Sequence, residues 1–215
     1  MSEYLTPKVL AVIRAMHSDL RKWRYTRELA RISKAGKSTI SDQFPKLVKL
    51  GILDQRNEGR EVYYRLRLTS ARTRKLCELF ETERREGFYG KSRRLAWALQ
   101  DFTKRVFDFL PQVQTVILSG SAARGQLTRT SDIDLLAIVP NVEQKAFNEL
   151  MKSVDKIAHD VNATYGFPFS VVTMTIKDFE TAVREKKRIA QDVQHDGIVL
   201  FGEERYYQLL SRLIL

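Results

Sequence analysis

A chain of 215 residues with 43% hydrophobic content is long enough for two small domains or for one with an appendage, and no apolar run in it approaches the ~20 residues a bilayer requires. The N-terminus lacks the basic-then-apolar pattern of a secretory leader, and a single cysteine, Cys77, excludes an intrachain disulfide, so the expected setting is reducing and cytoplasmic, with no membrane partner. The net charge of +11 is uneven: residues 1–90 hold 20 Lys and Arg against 11 Asp and Glu, while residues 91–215 hold 17 against 15. That excess points to a polyanion partner for the first part, against the bland alternative of a merely soluble basic surface.

The first predicted helix covers residues 6–20. Thr6-Pro7 is a good cap and first turn, and Val9, Leu10, Val12, Ile13, Met16 and Leu20 recur at helical spacing. A short helix starts at Thr26 and buries Leu29, Ala30 and Ile32. Gly36 is read as a left-handed turn residue. A third helix runs from Lys37-Ser38 toward Gly51, with Pro45 expected to kink it or confine its exposed portion. Alternation around Asn57-Glu58-Gly59-Arg60, from Ile52 to Leu68, predicts a hairpin.

Residues 71–110 read as helical, with a boundary near 87–91. Leu95, Leu99, Phe102, Val106, Phe107, Phe109 and Leu110 mark a buried face, and Trp97 reads as a packing residue. Two apolar strands follow, Val113–Leu118 and Ile133–Val139. A helix over Val142–Thr164, a strand from Phe167 to Thr175, a polar helix over Lys177–Asp196 capped by Gly197, a short extended segment at Ile198–Gly202 and a terminal helix from Glu203 complete the chain.

The stretch joining the two apolar strands carries the chemistry. Gly120-Ser121 ends the first strand, and Asp132-Ile133-Asp134 begins the second. Residues two apart on a strand share a face. Two carboxylates side by side on an otherwise apolar strand are costly unless a cation lies between them. Such a pair can hold divalent ions that bridge phosphate oxygens. Glycine in the turn lets backbone N–H groups approach a phosphate closely. Arg124 and Arg129 lie in the same loop and either neutralise phosphate charge or remain solvated.

Two resemblances follow. Residues 5–70, with Leu29 to Ser41 as the turn and Leu47 to Leu53 as the helix-to-wing junction, resemble a winged helix-turn-helix domain. That resemblance implies DNA contacts from Lys37, Ser38, Thr39, Ser41, Asp42 and Gln43 at the start of the third helix, and phosphate contacts from a wing tip, Arg56 to Arg60. A winged helix used for protein contacts or as a bare scaffold is the alternative. Gly120-Ser121, ten intervening residues and Asp132-x-Asp134 resemble the signature of the DNA polymerase beta nucleotidyltransferase superfamily, most closely its small, minimal members, which include antibiotic and toxin–antitoxin proteins; the resemblance covers residues 92–202. It implies Mg²⁺ or Mn²⁺ on Asp132 and Asp134, a nucleoside triphosphate on Gly120, Ser121 and Arg124, and in-line transfer of a nucleotidyl group to a hydroxyl.

The expected class is α+β: a winged helix-turn-helix over 1–70, a helical connector over 71–90 and a small mixed-sheet nucleotidyltransferase-like domain over 91–215. Partners implied are DNA and nucleotide, with a protein acceptor and a homodimer as further options. One departure matters. Active members of the superfamily place a third carboxylate on a later strand, but Phe169–Thr175 carries no Asp or Glu. Asp178, just after it, reads as a helix cap or a ligand. The competing function is therefore a transcriptional regulator whose transferase fold senses nucleotide or dimerises without catalysis. His17, His159 and His195 form no metal pattern, and Tyr206, Tyr207 and Cys77 read as packing residues.

Overall fold

A computed structural model describes residues 5–33, 36–128 and 131–214. The chain divides into two compact units, one reaching to Phe80 and taking in Tyr207–Leu215, the other spanning Glu81–Tyr206. The class is mixed α and β, with one sheet in each unit. No helix among the described residues is long and apolar enough to cross a membrane.

The first unit opens with α1 (Pro7–His17), β1 (Arg24–Tyr25), α2 (Thr26–Ser33), α3 (Lys37–Lys49), β2 (Leu53–Glu58) and β3 (Glu61–Leu66). Thr6 starts α1 by accepting the Val9 N–H on its hydroxyl at 3.4 Å, which satisfies one of the donors a helix start leaves unpaired. The helical spacing of α1 turns Val9, Val12, Ile13 and Met16 inward, where Leu29, Phe44 and Leu47 are also fully buried. The strands form an antiparallel sheet in the order β1-β3-β2, with Gln55 opposite Tyr64. The hairpin turns at Gly59, φ +59°, a conformation that glycine adopts without steric cost.

One expectation fails in this unit. Gly36 is extended, φ −65°, and stands as the N-cap of α3; the left-handed glycine is Gly51, φ +72°, just beyond the helix, where left-handed glycines commonly end helices. α3 continues through Pro45 to Lys49, as a third helix running toward Gly51 requires. Proline removes the bond to the Ser41 carbonyl, but Ser41 is exposed, so water can take that carbonyl.

The boundary between the units falls within α4 (Ala71–Tyr89). The second unit continues with α5 (Arg93–Phe109), β4 (Thr115–Leu118), the single turn α6 (Gly120–Ala123), β5 (Ile133–Val139), α7 (Gln144–Tyr165), β6 (Phe169–Thr175), α8 (Ile176–Arg184), α9 (Arg188–His195), β7 (Ile198–Phe201) and the start of α10 (Glu203–Leu213). Its sheet runs β6-β5-β4-β7. β4 is antiparallel to β5 and β7, and β5 is parallel to β6. A parallel pair needs a crossover, and α7 provides it. Ala98, Leu99, Phe102 and Val106 of α5 and Val154 and Val161 of α7 are buried in one core with Val116, Leu118, Leu135 and Ala137 of the central strands.

The polar segment Lys177–Asp196 is two helices, not one. The chain breaks at Lys186, which takes φ +54°, an uncommon conformation for a residue with a Cβ. On α5, Trp97, Phe107 and Phe109 are 58%, 62% and 72% exposed, so these aromatics do not belong to the buried face. β7 lies at the sheet's end, and side chains from α4 occupy its outer edge. Glu81 accepts the Val199 N–H at 2.8 Å. Arg85 donates to the Val199 and Leu200 carbonyls and to Glu203, and Arg84 to the carbonyls of Asp196 and Gly197.

Candidate functional site

The Gly-Ser turn and the second aspartate meet as the strand register requires. β4 and β5 pair Leu118 with Leu135, which sets the residue after Leu118 beside the one before Leu135. There the Ser119 N–H donates to the Asp134 carbonyl at 2.8 Å. Gly120 follows at φ +68°, and a Cβ on it would lie 2.0 Å from Asp134 Oδ2. Glycine is thus required twice at this position, for its backbone angle and for the space the carboxylate fills. The chain then makes the turn α6, with Ser121 half-buried and Arg124 exposed.

Asp134 is half-buried, and its carboxyl is held above the ordinary carboxylate range. Burial contributes most, the Asp132 charge adds to it, and Arg124 opposes both. Asp132 itself is exposed, just before β5. A cavity of about 450 Å³ gathers Gly120, Ser121, Arg124 and Asp134. Asp132 is not among its lining residues and acts on it through charge. Arg129 lies outside the described residues.

Sequence reasoning missed the remaining walls. β6 contributes Ser170 and Val172, and α9 contributes Arg188, Ile189 and Asp192. Ser170 was legible only as a missing acid; the parallel register sets it beside Asp134, so a serine stands on the strand neighbouring the aspartate. Asp178 is engaged elsewhere. The Thr175 hydroxyl lies 2.6 Å from Asp178 Oδ2 and accepts the Asp178 N–H at 3.1 Å, as a helix cap does. No motif announces α9, because Arg188 and Asp192 at i, i+4 look like an ordinary surface ion pair.

Among the described residues no group of three or more His, Cys, Asp and Glu could hold a metal ion. Asp132 and Asp134 are the carboxylates that could hold a cation here. Hard carboxylate oxygens with open positions left for phosphate and water fit Mg²⁺ or Mn²⁺. The histidines are used otherwise: His17 Nε2 lies 2.6 Å from the Tyr207 hydroxyl, His195 Nδ1 lies 2.7 Å from Asp196, and His159 is exposed on α7.

In the first unit Ser38 and Ser41 are exposed on α3, while Thr39 and Gln43 are half-buried; the Lys37 side chain lies outside the described residues. Arg60 and Ser41 line one shallow cleft of about 290 Å³ together with Arg27 and Thr26. Arg56 pairs with Glu58 at 3.0 Å and lies 4.7 Å from the Trp23 ring centre, as Arg65 does. Trp23, Arg27 and Arg65 carry no sequence signal, since neither spacing nor periodicity connects Trp23 to a hairpin more than thirty residues later.

Two solved structures are similar in part, a toxin–antitoxin with AMP-PNP at 19% identity and a mutant of the toxin–antitoxin MntA–HpeT at 18%. Each match covers 54% of this chain and 82% of the other, with a TM-score of 0.36, a level at which neither adds to the argument. No curated protein sequence matches the chain. Residues 100–202 match the family model of the nucleotidyltransferase domain. That segment contains Gly120, Ser121, Asp132 and Asp134.

Proposed function

We propose that the chain is a DNA-binding nucleotidyltransferase. In this reading the second unit binds a nucleoside triphosphate with Mg²⁺ or Mn²⁺ and transfers a nucleotidyl group to a hydroxyl acceptor. The observation that carries it is the Asp134 carboxylate seated against Gly120, in one cavity with Ser121 and Arg124. Asp132 and Asp134 would hold the divalent ion, whose chemistry when bound would be to offset triphosphate charge. Ser121 donates a hydrogen bond to the triphosphate, and Arg124 offsets its charge. The acceptor oxygen forms a bond to the α-phosphorus, the bond to the pyrophosphate oxygen breaks, and the acceptor proton leaves to solvent. Most of the rate comes from positioning and electrostatics.

A second reading has its own observation. Ser170 stands in register with Asp134 on a strand that carries no Asp or Glu, and Asp178 is engaged as a cap. A two-carboxylate site supports a nucleotide sensor that does not turn over. Incubation with each labelled nucleoside triphosphate and Mg²⁺ separates the two. Label transfer or pyrophosphate release that disappears in Asp132→Asn/Asp134→Asn supports the enzyme, and metal-dependent binding without turnover supports the sensor. If neither occurs with any nucleotide, both readings fail.

For the first unit, the exposed Ser38 and Ser41 on α3, the Arg60 cleft and the basic excess support a winged helix-turn-helix that binds DNA through α3 and the β2–β3 hairpin. Affinity for duplex DNA should fall steeply with salt, and Arg60→Ala should lower the salt slope by about 1. No binding at low ionic strength would point to a protein contact instead.

A further inference from the structure

The cavity has two chemically unlike sides. Gly120, Ser121 and Arg124 suit anionic oxygens. Val172, Ile189 and Asp192 do not. Val172 is 40% exposed, so an apolar surface is presented rather than packed away. A carboxylate such as Asp192 and phosphate oxygens repel each other unless a cation intervenes. It joins no metal-holding group with Asp132 and Asp134 among the described residues. The partner that suits it is a hydrogen-bond donor. Its ion pair with Arg188 is long, 3.6 Å from Nε to Oδ2, beyond hydrogen-bond distance. Arg188 is almost wholly exposed. The carboxylate therefore keeps acceptor capacity, on a residue that lines the cavity.

We infer that α9 reads the nucleoside end of the ligand: Asp192 accepts both hydroxyls of a ribose, Ile189 and Val172 lie against the sugar and base, and the site selects ribonucleotides over 2′-deoxyribonucleotides. The inference rests on the nucleotide site proposed above and adds its specificity. Among the donors of a nucleoside triphosphate, the 2′,3′-diol is shared by every ribonucleotide. Its two O–H groups match the two oxygens of one carboxylate. A 2′-deoxyribose offers one donor and leaves one oxygen of Asp192 unmatched. Arg188, one turn back on the same helix, offsets the Asp192 charge without covering it.

The test is calorimetric titration of the full chain with ATP, GTP, CTP and UTP in Mg²⁺, each against its 2′-deoxy counterpart. The wild type should bind the preferred ribonucleotide about tenfold more tightly than its deoxy form. Asp192→Ala should bring the ribonucleotide down to the deoxy affinity while leaving the deoxy affinity within about twofold. Asp192→Asn, which retains one acceptor oxygen, should fall between. Equal ribo and deoxy affinities in the wild type overturn the inference. So does a preference that survives Asp192→Ala, or an equal loss for both sugars in that variant. Absence of binding by all eight nucleotides overturns the nucleotide site itself, and is distinguished from those outcomes because no ratio can then be measured.

Discussion

Glu28 in the first unit and Asp134 in the second are both partly buried carboxylates, and their surroundings move them in opposite directions. Burial pushes Glu28 up, but its hydrogen bonds to Lys22 and Arg24, at 2.7 and 2.9 Å, outweigh that and leave it below the ordinary range. Burial also pushes Asp134 up, the Asp132 charge adds to the rise, and Arg124 falls short of reversing it. Arg124 is shared with Gln126 at 3.3 Å and Asp196 at 3.7 Å. One carboxylate is compensated by the chain's own cations, and it belongs to the fold. The other is arranged at a cost to the fold, as the ligand site proposed above requires.

The largest test of that contrast is Asp132→Asn/Asp134→Asn. Affinity for Mg²⁺-nucleotide should fall by roughly a hundredfold or more by calorimetry, while the ligand-free protein melts no lower at neutral pH. A carboxyl raised above its unfolded value adds stability that is fully present below that value and is lost as pH rises through the folded one. Removing the charge at Asp134 should therefore stabilise slightly at pH 7 and not in acid. A lower melting temperature would make the pair structural. Gly120→Ala comes next. Its Cβ meets Asp134 Oδ2 at 2.0 Å and its backbone is left-handed, so a loss of about 2–3 kcal/mol in stability is expected in denaturant melts, with nucleotide affinity falling as Asp134 is displaced.

Glu28→Gln should cost about 2 kcal/mol, because it strips the buried Arg24 of its partner. Glu28 is depressed, so its contribution is present above the unfolded carboxylate value and is lost as pH falls through the folded one. Variant and wild type should converge in acid, and a gap that persists there would refute the ion-pair account. Smallest is Arg124→Ala. Mg²⁺ alone should bind about twofold more tightly, since a repelling cation is gone, while the triphosphate binds about threefold to tenfold more weakly. A fall in both would place Arg124 in the fold rather than in the site.

The parts of the molecule that were legible share a property: neighbours in sequence, or at a fixed period, are neighbours in space. Unbroken apolar runs brought out β4 and β5, and the two-residue period read Asp132 and Asp134 as a pair. Asp192 could not be found that way. It reaches the Asp134 cavity only because the helical segment breaks at Lys186, and a lysine at φ +54° announces no break. Phe107 and Phe109 show the opposite error. Apolar residues recurring on a helix were read as buried, yet folded proteins leave much apolar surface exposed. Ser170 lay between these cases: its identity was plain, and only the β5–β6 register set it beside Asp134.

The side chains of α4 along β7 bear on how copies of this protein can meet. An uncovered edge strand offers its N–H and C=O groups to any similar strand and so invites sheet-to-sheet association. Here Glu81 takes the Val199 N–H, and Arg85 takes the carbonyls of Val199 and Leu200. One arginine and a buried glutamate thus act as a polar seal, and a second chain would have to break these charge-assisted bonds before it could add a strand. The four-stranded sheet is closed to growth on that side by side chains alone.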